Sequence, residues 1–312
     1  MTSTPSPTGG TSEMDRATDR YPTRSGEQAL LGDRLDPVVW GTGAGTQLDA
    51  EQIESYERDG YLQITSLFDS RELAVLDEEI VRLSADVDVM ASDRAIIEPS
   101  GGALRSIFEV HRSGPFAELV SDRRLADVAR QLLGSDVYVH QSRINLKPAF
   151  RGKEFYWHSD FETWHAEDGM PSMRALSASV SLTKNLHVNG PLMVIAGSHH
   201  RFVSCAGETP RNHHEMSLRR QEIGVPDEEH LAELAQQGEI RNVVGPAGSV
   251  TFFDCNLMHG SNGNITPMGR KNAFFVFNSV ENTLVEPFAA PMPRPTHIAS
   301  RDFDPLPDPA VG

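Results

Sequence analysis

The segment FYWHSDFETW sets an imidazole, His158, and a carboxylate, Asp160, two residues apart. On a strand that spacing puts both side chains on one face, where they can share a single metal ion. A third ligand has to come from a distant segment, and His259 is the best candidate. It follows the apolar run GSVTFFD and stands just before Gly260, where the backbone can turn at a barrel mouth. Two histidines and one carboxylate on one face of a metal leave positions open. That suits iron(II), which must bind an oxidisable co-substrate and then dioxygen. Arg270, in a loop before NAFFVF, can give a bidentate pair to a carboxylate, as the distal end of 2-oxoglutarate requires.

A lone His-x-Asp is a weak signal in a chain with 12 histidines, and His165/Glu167 and His213/Glu215 offer similar spacings. His158 and Asp160 alone also read as a surface pair, and Arg270 alone as a solvated cation. The order of the parts favours the oxygenase reading. Three protein ligands plus water describe a catalytic zinc as well, but that reading leaves Arg270 without a task. Asp160 occupies the position that halogenases of this type leave vacant for chloride, which favours hydroxylation.

The elements that must carry these residues fall into two regimes. Residues 1–20 are rich in Ser, Thr, Pro and Gly and are expected to be disordered. LDAEQIESYERDGYLQI reads as a helix capped by Asp49, with Ile53 and Tyr56 at helical spacing, broken at Gly60 before a strand. SRELAVLDEEIVRLSADV predicts a second helix, with Ser70 as N-cap and Leu73, Val75, Leu76, Ile80, Val81 and Leu83 as its apolar positions. A third, around RRLADVARQLLG, ends on Gly134.

Beyond Gly134 the rhythm alternates. SDVYVHQSRINLK, ALSASVSLT, PLMVIAG, GSVTFFD and NAFFVFNSV read as strands, with one helix near 227–237. The expected fold is mainly β with a helical support layer: a double-stranded β-helix (jelly-roll, cupin-like) barrel. A single domain is expected over 21–305, with its jelly-roll core at about 135–285 and a tail at 306–312.

Bulk properties bound the function. With 312 residues, 38% of them hydrophobic and 14 of them Phe, the chain can build a real core. A net charge of −16 argues against nucleic acid and anionic membranes as partners. No stretch approaches a membrane span, the N-terminus lacks an apolar signal core, and the two cysteines, Cys205 and Cys255, fit a reducing cytoplasm.

The stretch FYWHSDFETWHAEDGMPSMRALSASVSLTKNLHVNGPLM resembles the signature segment of ectoine hydroxylases, within the phytanoyl-CoA dioxygenase superfamily. The likeness runs from RYPTR near Tyr21 to IASRDF at Phe303, through HQSRIN, FFDCNLMHGSNGNITP, GRKNAFFVFNSVENTLVEPF and PRP. It implies a jelly-roll dioxygenase that uses iron(II), 2-oxoglutarate and O2 to convert ectoine to 5-hydroxyectoine, and it suggests a homodimer. Carried over residue by residue, the ligands match His158, Asp160 and His259. The 2-oxoglutarate site matches Arg270, Arg143, Asn145, Phe155 and Ser261. The substrate site matches Gln141, Trp164, Asn272 and Arg294, with Phe253 and Phe274 as walls. Two departures touch loop geometry: Ala196 stands where the family usually has Pro, and His297 where a bulkier aromatic is expected. The rival readings are a related hydroxylase of another small amino-acid derivative and a non-catalytic jelly-roll solute-binding protein.

Overall fold

The computed structural model describes residues 19–41, 47–97, 104–112, 114–217 and 223–307. The disorder expected at 1–20 falls almost wholly outside these residues. Asp19 and Arg20 make specific contacts, however: Asp19 meets Nε2 of His165, and the exposed Arg20 pairs with Asp36.

The strands in chain order are β1 (Leu30–Asp33), β2 (Tyr61–Ile64), β3 (Ala95–Ile97), β4 (Leu104–Phe108), β5 (Val137–Lys147) and β6 (Phe155–His158). They continue with β7 (Ala175–Ser181), β8 (Leu192–Ile195), β9 (Arg201–Ser204), β10 (Ile240–Val243), β11 (Val250–Asp254), β12 (His259–Ser261) and β13 (Arg270–Ser279). A seven-stranded sheet has the order β2-β11-β7-β13-β5-β4-β3, and a four-stranded sheet the order β10-β8-β12-β6; β1 pairs with β9. All these pairings are antiparallel, as the expected jelly-roll requires.

Strand alternation decides what each face of the large sheet does. Along β13, Ala273, Phe275 and Phe277 are fully buried and join the main core with Ile144 of β5, Val180 of β7 and Phe252 of β11. Helices Ala50–Asp59, Ser70–Ala85, Gly114–Ser121 and Arg123–Leu133 supply the other side of that core through Tyr56, Ile80, Phe116, Leu125 and Leu132. The residues between, such as Asn272 and Phe274, face the opposite way. The hydrophobic effect thus locks one face of the sheet onto helices and leaves the other free to carry polar groups.

The helix ends follow local chemistry. Asp49 caps the first helix through the N–H of Gln52, and Gly60 closes it in a left-handed conformation that glycine adopts without strain. The second helix is capped by Asp69, not by Ser70, because Asp69 accepts from the N–H groups of Arg71 and Glu72. Val75 and Val81 lie on its exposed side, while Leu76, Ile80 and Leu83 are buried. The third helix ends at Gly134 as expected, and the expected late helix spans Glu228–Gln237.

Candidate active site

His158 and His259 occupy paired positions on β6 and β12 of the smaller sheet. Three placements differ from the sequence reading. Asp160 opens a short helix, Asp160–Thr163, just past the end of β6. Ser159 between them keeps extended dihedrals, so the two-residue alternation still brings both side chains to one side. Gly260 lies within β12 and not in a turn; a Cβ there would come within 3.1 Å of the Phe155 carbonyl, so glycine permits the close strand approach. Arg270 begins β13 and does not lie in a loop.

The donor atoms of His158, Asp160 and His259 all lie within 4.8 Å of one another. Nε2 of His158 is 3.6 Å from Oδ1 of Asp160, and Nε2 of His259 is 3.9 Å from Oδ2. The second nitrogens settle the tautomers. Nδ1 of His158 lies 2.8 Å from the Tyr156 carbonyl and Nδ1 of His259 lies 2.9 Å from the Leu257 carbonyl. A carbonyl only accepts, so each Nδ1 carries the proton and each Nε2 turns a lone pair toward Asp160. Lone pairs converging on a carboxylate fit a cation between them, held by the kind of outer-shell bonds that orient metal-bound histidines. Burial and the neighbouring His158 hold His259 down to about 4, in its ligating neutral form. Burial alone would raise the pKa of Asp160, but the two imidazoles and Arg143 hold it well below the usual carboxylate range.

Across a cavity of about 60 Å³ stand residues of the larger sheet: Arg143 and Asn145 from β5, Arg270 and Phe274 from β13. Phe155, His158, His259 and Ser261 line its other side. Arg270 is buried, its Nε has no hydrogen-bond partner, and burial lowers its pKa to about 10. Arg143 likewise has a buried, unpartnered Nε and lies over the rings of Phe108 and Phe274. Arg143 has the Asp160 carboxylate nearby, but burial alone acts on Arg270, and a bare guanidinium in so dry a place is costly unless an anion joins it. The donor set fits a dicarboxylate beside a metal. Arg105, Ser106, Phe108 and Leu192 also line this cavity and were not picked out from the sequence.

The remaining residues assigned from the likeness surround the cavity at different distances. Phe253 packs edge-on to His259, with ring centres 5.1 Å apart. Asn272 donates to Ser179 Oγ, leaving its own Oδ1 buried and unpartnered. Gln141, Trp164 and Arg294 do not line the cavity. Gln141 donates to the Ile298 carbonyl, Trp164 packs edge-on against His140, and Arg294 forks onto Asp168 at 2.7 and 2.5 Å. Arg294 instead borders a separate cavity with Glu167, His213 and His214. His199 is buried in a 3-10 turn and bonds the Glu57 carbonyl. Of the two similar spacings, Glu167 and His213 belong to a buried network in which Arg24 holds Glu162 and Glu167 and Glu167 also accepts from His213; His165 bonds Asp19, and Glu215 is exposed.

Residues 56–272 match the phytanoyl-CoA dioxygenase family. The chain belongs to this family. It is 56% identical over 287 residues to the ectoine dioxygenase of Bordetella bronchiseptica, covering 91% of this chain and 93% of that protein. The crystal structure of EctD from S. alaskensis with 2-oxoglutarate and 5-hydroxyectoine is 49% identical, with a TM-score of 0.82 over 91% of this chain and 95% of the other. The same enzyme with bound Fe gives 0.83 at 48% identity, covering 92% and 97%. Family membership and the donor geometry agree on an iron and 2-oxoglutarate-dependent dioxygenase with a jelly-roll fold. No helix among the described residues is long and apolar enough to cross a membrane.

Proposed function

We propose that this protein hydroxylates ectoine to 5-hydroxyectoine, using iron(II), 2-oxoglutarate and dioxygen and releasing succinate and carbon dioxide. The observation that carries this reading is the His158–Asp160–His259 cluster facing the unpaired Arg270, in a chain more than half identical to ectoine dioxygenases. Iron(II), held by the three ligands, supplies the oxidising chemistry that side chains lack. Arg270 and Ser261 orient the distal carboxylate of 2-oxoglutarate, while Arg143, Asn145 and Phe155 bound the space around it. Burial of the site on both sheets keeps bulk water from the reacting atoms.

Ectoine is a small zwitterion with a delocalised amidinium and a carboxylate. Arg294 suits the carboxylate, and its bond to Asp168 holds the fork in one orientation. Trp164 offers an indole face to the amidinium, an attraction worth roughly 0.5–2 kcal/mol. Gln141 and Asn272 add polar selection, and Phe253 and Phe274 form walls. The family likeness supports action as a cytoplasmic homodimer, which light scattering would register as twice the chain mass. Ectoine-dependent release of succinate tests the substrate assignment: equal release with and without ectoine removes it.

A further inference from the structure

Strand β5 carries one residue more than its pairing with β13 uses: Gln141 pairs with Val276 and Val139 with Phe277, so His140 stands opposite no residue. Val139 and Ile144 both join the main core although they lie five positions apart, which an unbroken alternation forbids. The extra residue of this β-bulge accounts for both. It turns His140 and Gln141 together away from that core, to the side that carries Arg143 and Asn145.

A second irregularity meets the first. Trp164–Asp168 forms one π-helical turn, in which the Gly169 N–H bonds the Trp164 carbonyl five residues back. So wide a turn brings the side chains at its two ends, Trp164 and Asp168, to the same side. His140 touches both. Its ring stands edge-on to Trp164 with centres 5.2 Å apart, and its Nε2 lies 3.2 Å from Asp168 Oδ2, close but bent from hydrogen-bond alignment. The His140 carbonyl accepts from the N–H of Ser300 at 2.8 Å, and Gln141 holds the Ile298 carbonyl. These bonds fix the stretch just after Arg294, whose fork closes on the same Asp168.

A carboxylate attracts an N–H and repels a lone pair, so the proton of a neutral His140 sits on Nε2. Nδ1 is then left buried with no partner among the described residues. A phenylalanine would pack against Trp164 without that penalty, so the imidazole serves Asp168 and not packing alone.

We propose that His140 is a positioning residue of the substrate site: through Asp168 it sets the Arg294 guanidinium, and through its ring it sets Trp164. The groups offered to the carboxylate and to the amidinium of the substrate thereby keep a fixed separation. This rests on reading Trp164 and Arg294 as the ectoine site.

Steady-state kinetics of the iron(II)-loaded enzyme, with each substrate varied in turn, tests this together with the ratio of succinate to hydroxyectoine formed. His140→Phe keeps a ring against Trp164 and takes the nitrogen away from Asp168. Its KM for ectoine should rise about tenfold, while its KM for 2-oxoglutarate stays put. Succinate should exceed hydroxyectoine, because ectoine held loosely is missed while the co-substrate is consumed. His140→Gln can return an N–H to Asp168 and should recover most of the ectoine KM. His140→Asn is too short to do so; it should match the Phe variant and replaces it if that variant does not fold. A wild-type KM for ectoine with a one-to-one product ratio in His140→Phe overturns the proposal, as does a Gln variant that recovers nothing. Equal rises in both KM values, or failure of all three variants to fold, make His140 a structural residue and overturn it as well. A wild type that hydroxylates no ectoine overturns the substrate reading itself, and the proposal with it.

Discussion

His158 and His259 reach the metal position by the same device: each ring ties Nδ1 to the carbonyl two residues before it, and the two ring centres stand 4.2 Å apart. The tie is made entirely by the backbone, so it survives side-chain changes elsewhere in the site. It also presents both Nε2 lone pairs before any metal arrives. Replacing His259 by Ala is therefore expected to lower iron(II) affinity on the order of 100-fold or more while leaving the circular dichroism spectrum unchanged. An unaltered iron content after dialysis would contradict this assignment.

Arg270 is predicted to act on the co-substrate and not on the metal. Arg270→Met should raise the KM for 2-oxoglutarate by about 100-fold, the loss of a bidentate charge-assisted pair, with iron content intact. Arg270→Lys should recover only part of the loss, because a point charge cannot fork onto a carboxylate. Full recovery by lysine would mean that charge alone matters there.

Arg294 is predicted to separate the two small molecules. Arg294→Lys keeps the charge but gives up the paired bonds to Asp168, so the KM for ectoine should rise by about tenfold while that for 2-oxoglutarate stays put. Steady-state kinetics with each substrate varied in turn reads the split. Parallel rises in both constants would reassign Arg294 to general packing.

Acid should unfold the protein through the buried network. Burial works to raise the pKa of Glu167, but His213 and Arg24 win and hold it at about 2; Asp168, bound by Arg294 and His140, lies at about 2 as well. Folded-state values below the unfolded ones give stability that is present above about pH 4.5 and lost as pH falls toward 2. Melting temperatures should be flat from pH 7 to 5 and drop below that. Arg24→Met should melt lower throughout and show a shallower acid drop, since Glu167 then titrates closer to its ordinary value. An unchanged acid profile in that variant would remove Arg24 from the account.

The parts legible in the sequence share a short-range pattern. Strand alternation marked β5, β7, β11 and β13, and the same period carried Arg143 and Asn145 to one face. The short run LRSIF of β4 hid Ser106 and Phe108, because three alternating positions are too few to stand out. Its place beside β5 depends on the pairing of Phe108 with Arg143. The network of Arg24 with Glu162 and Glu167 joins residues more than 130 positions apart, and no local spacing signals it. His165 and His213 imitated metal spacings because buried acid–histidine pairs and metal sites draw on the same residue types.

The most direct test of the central claim is product analysis by NMR after anaerobic reconstitution with iron(II) and 2-oxoglutarate, followed by ectoine and air. The account predicts a new hydroxylated methine on the ectoine ring and one succinate for each molecule hydroxylated. Succinate without hydroxyectoine, or neither product with iron demonstrably bound, would contradict it.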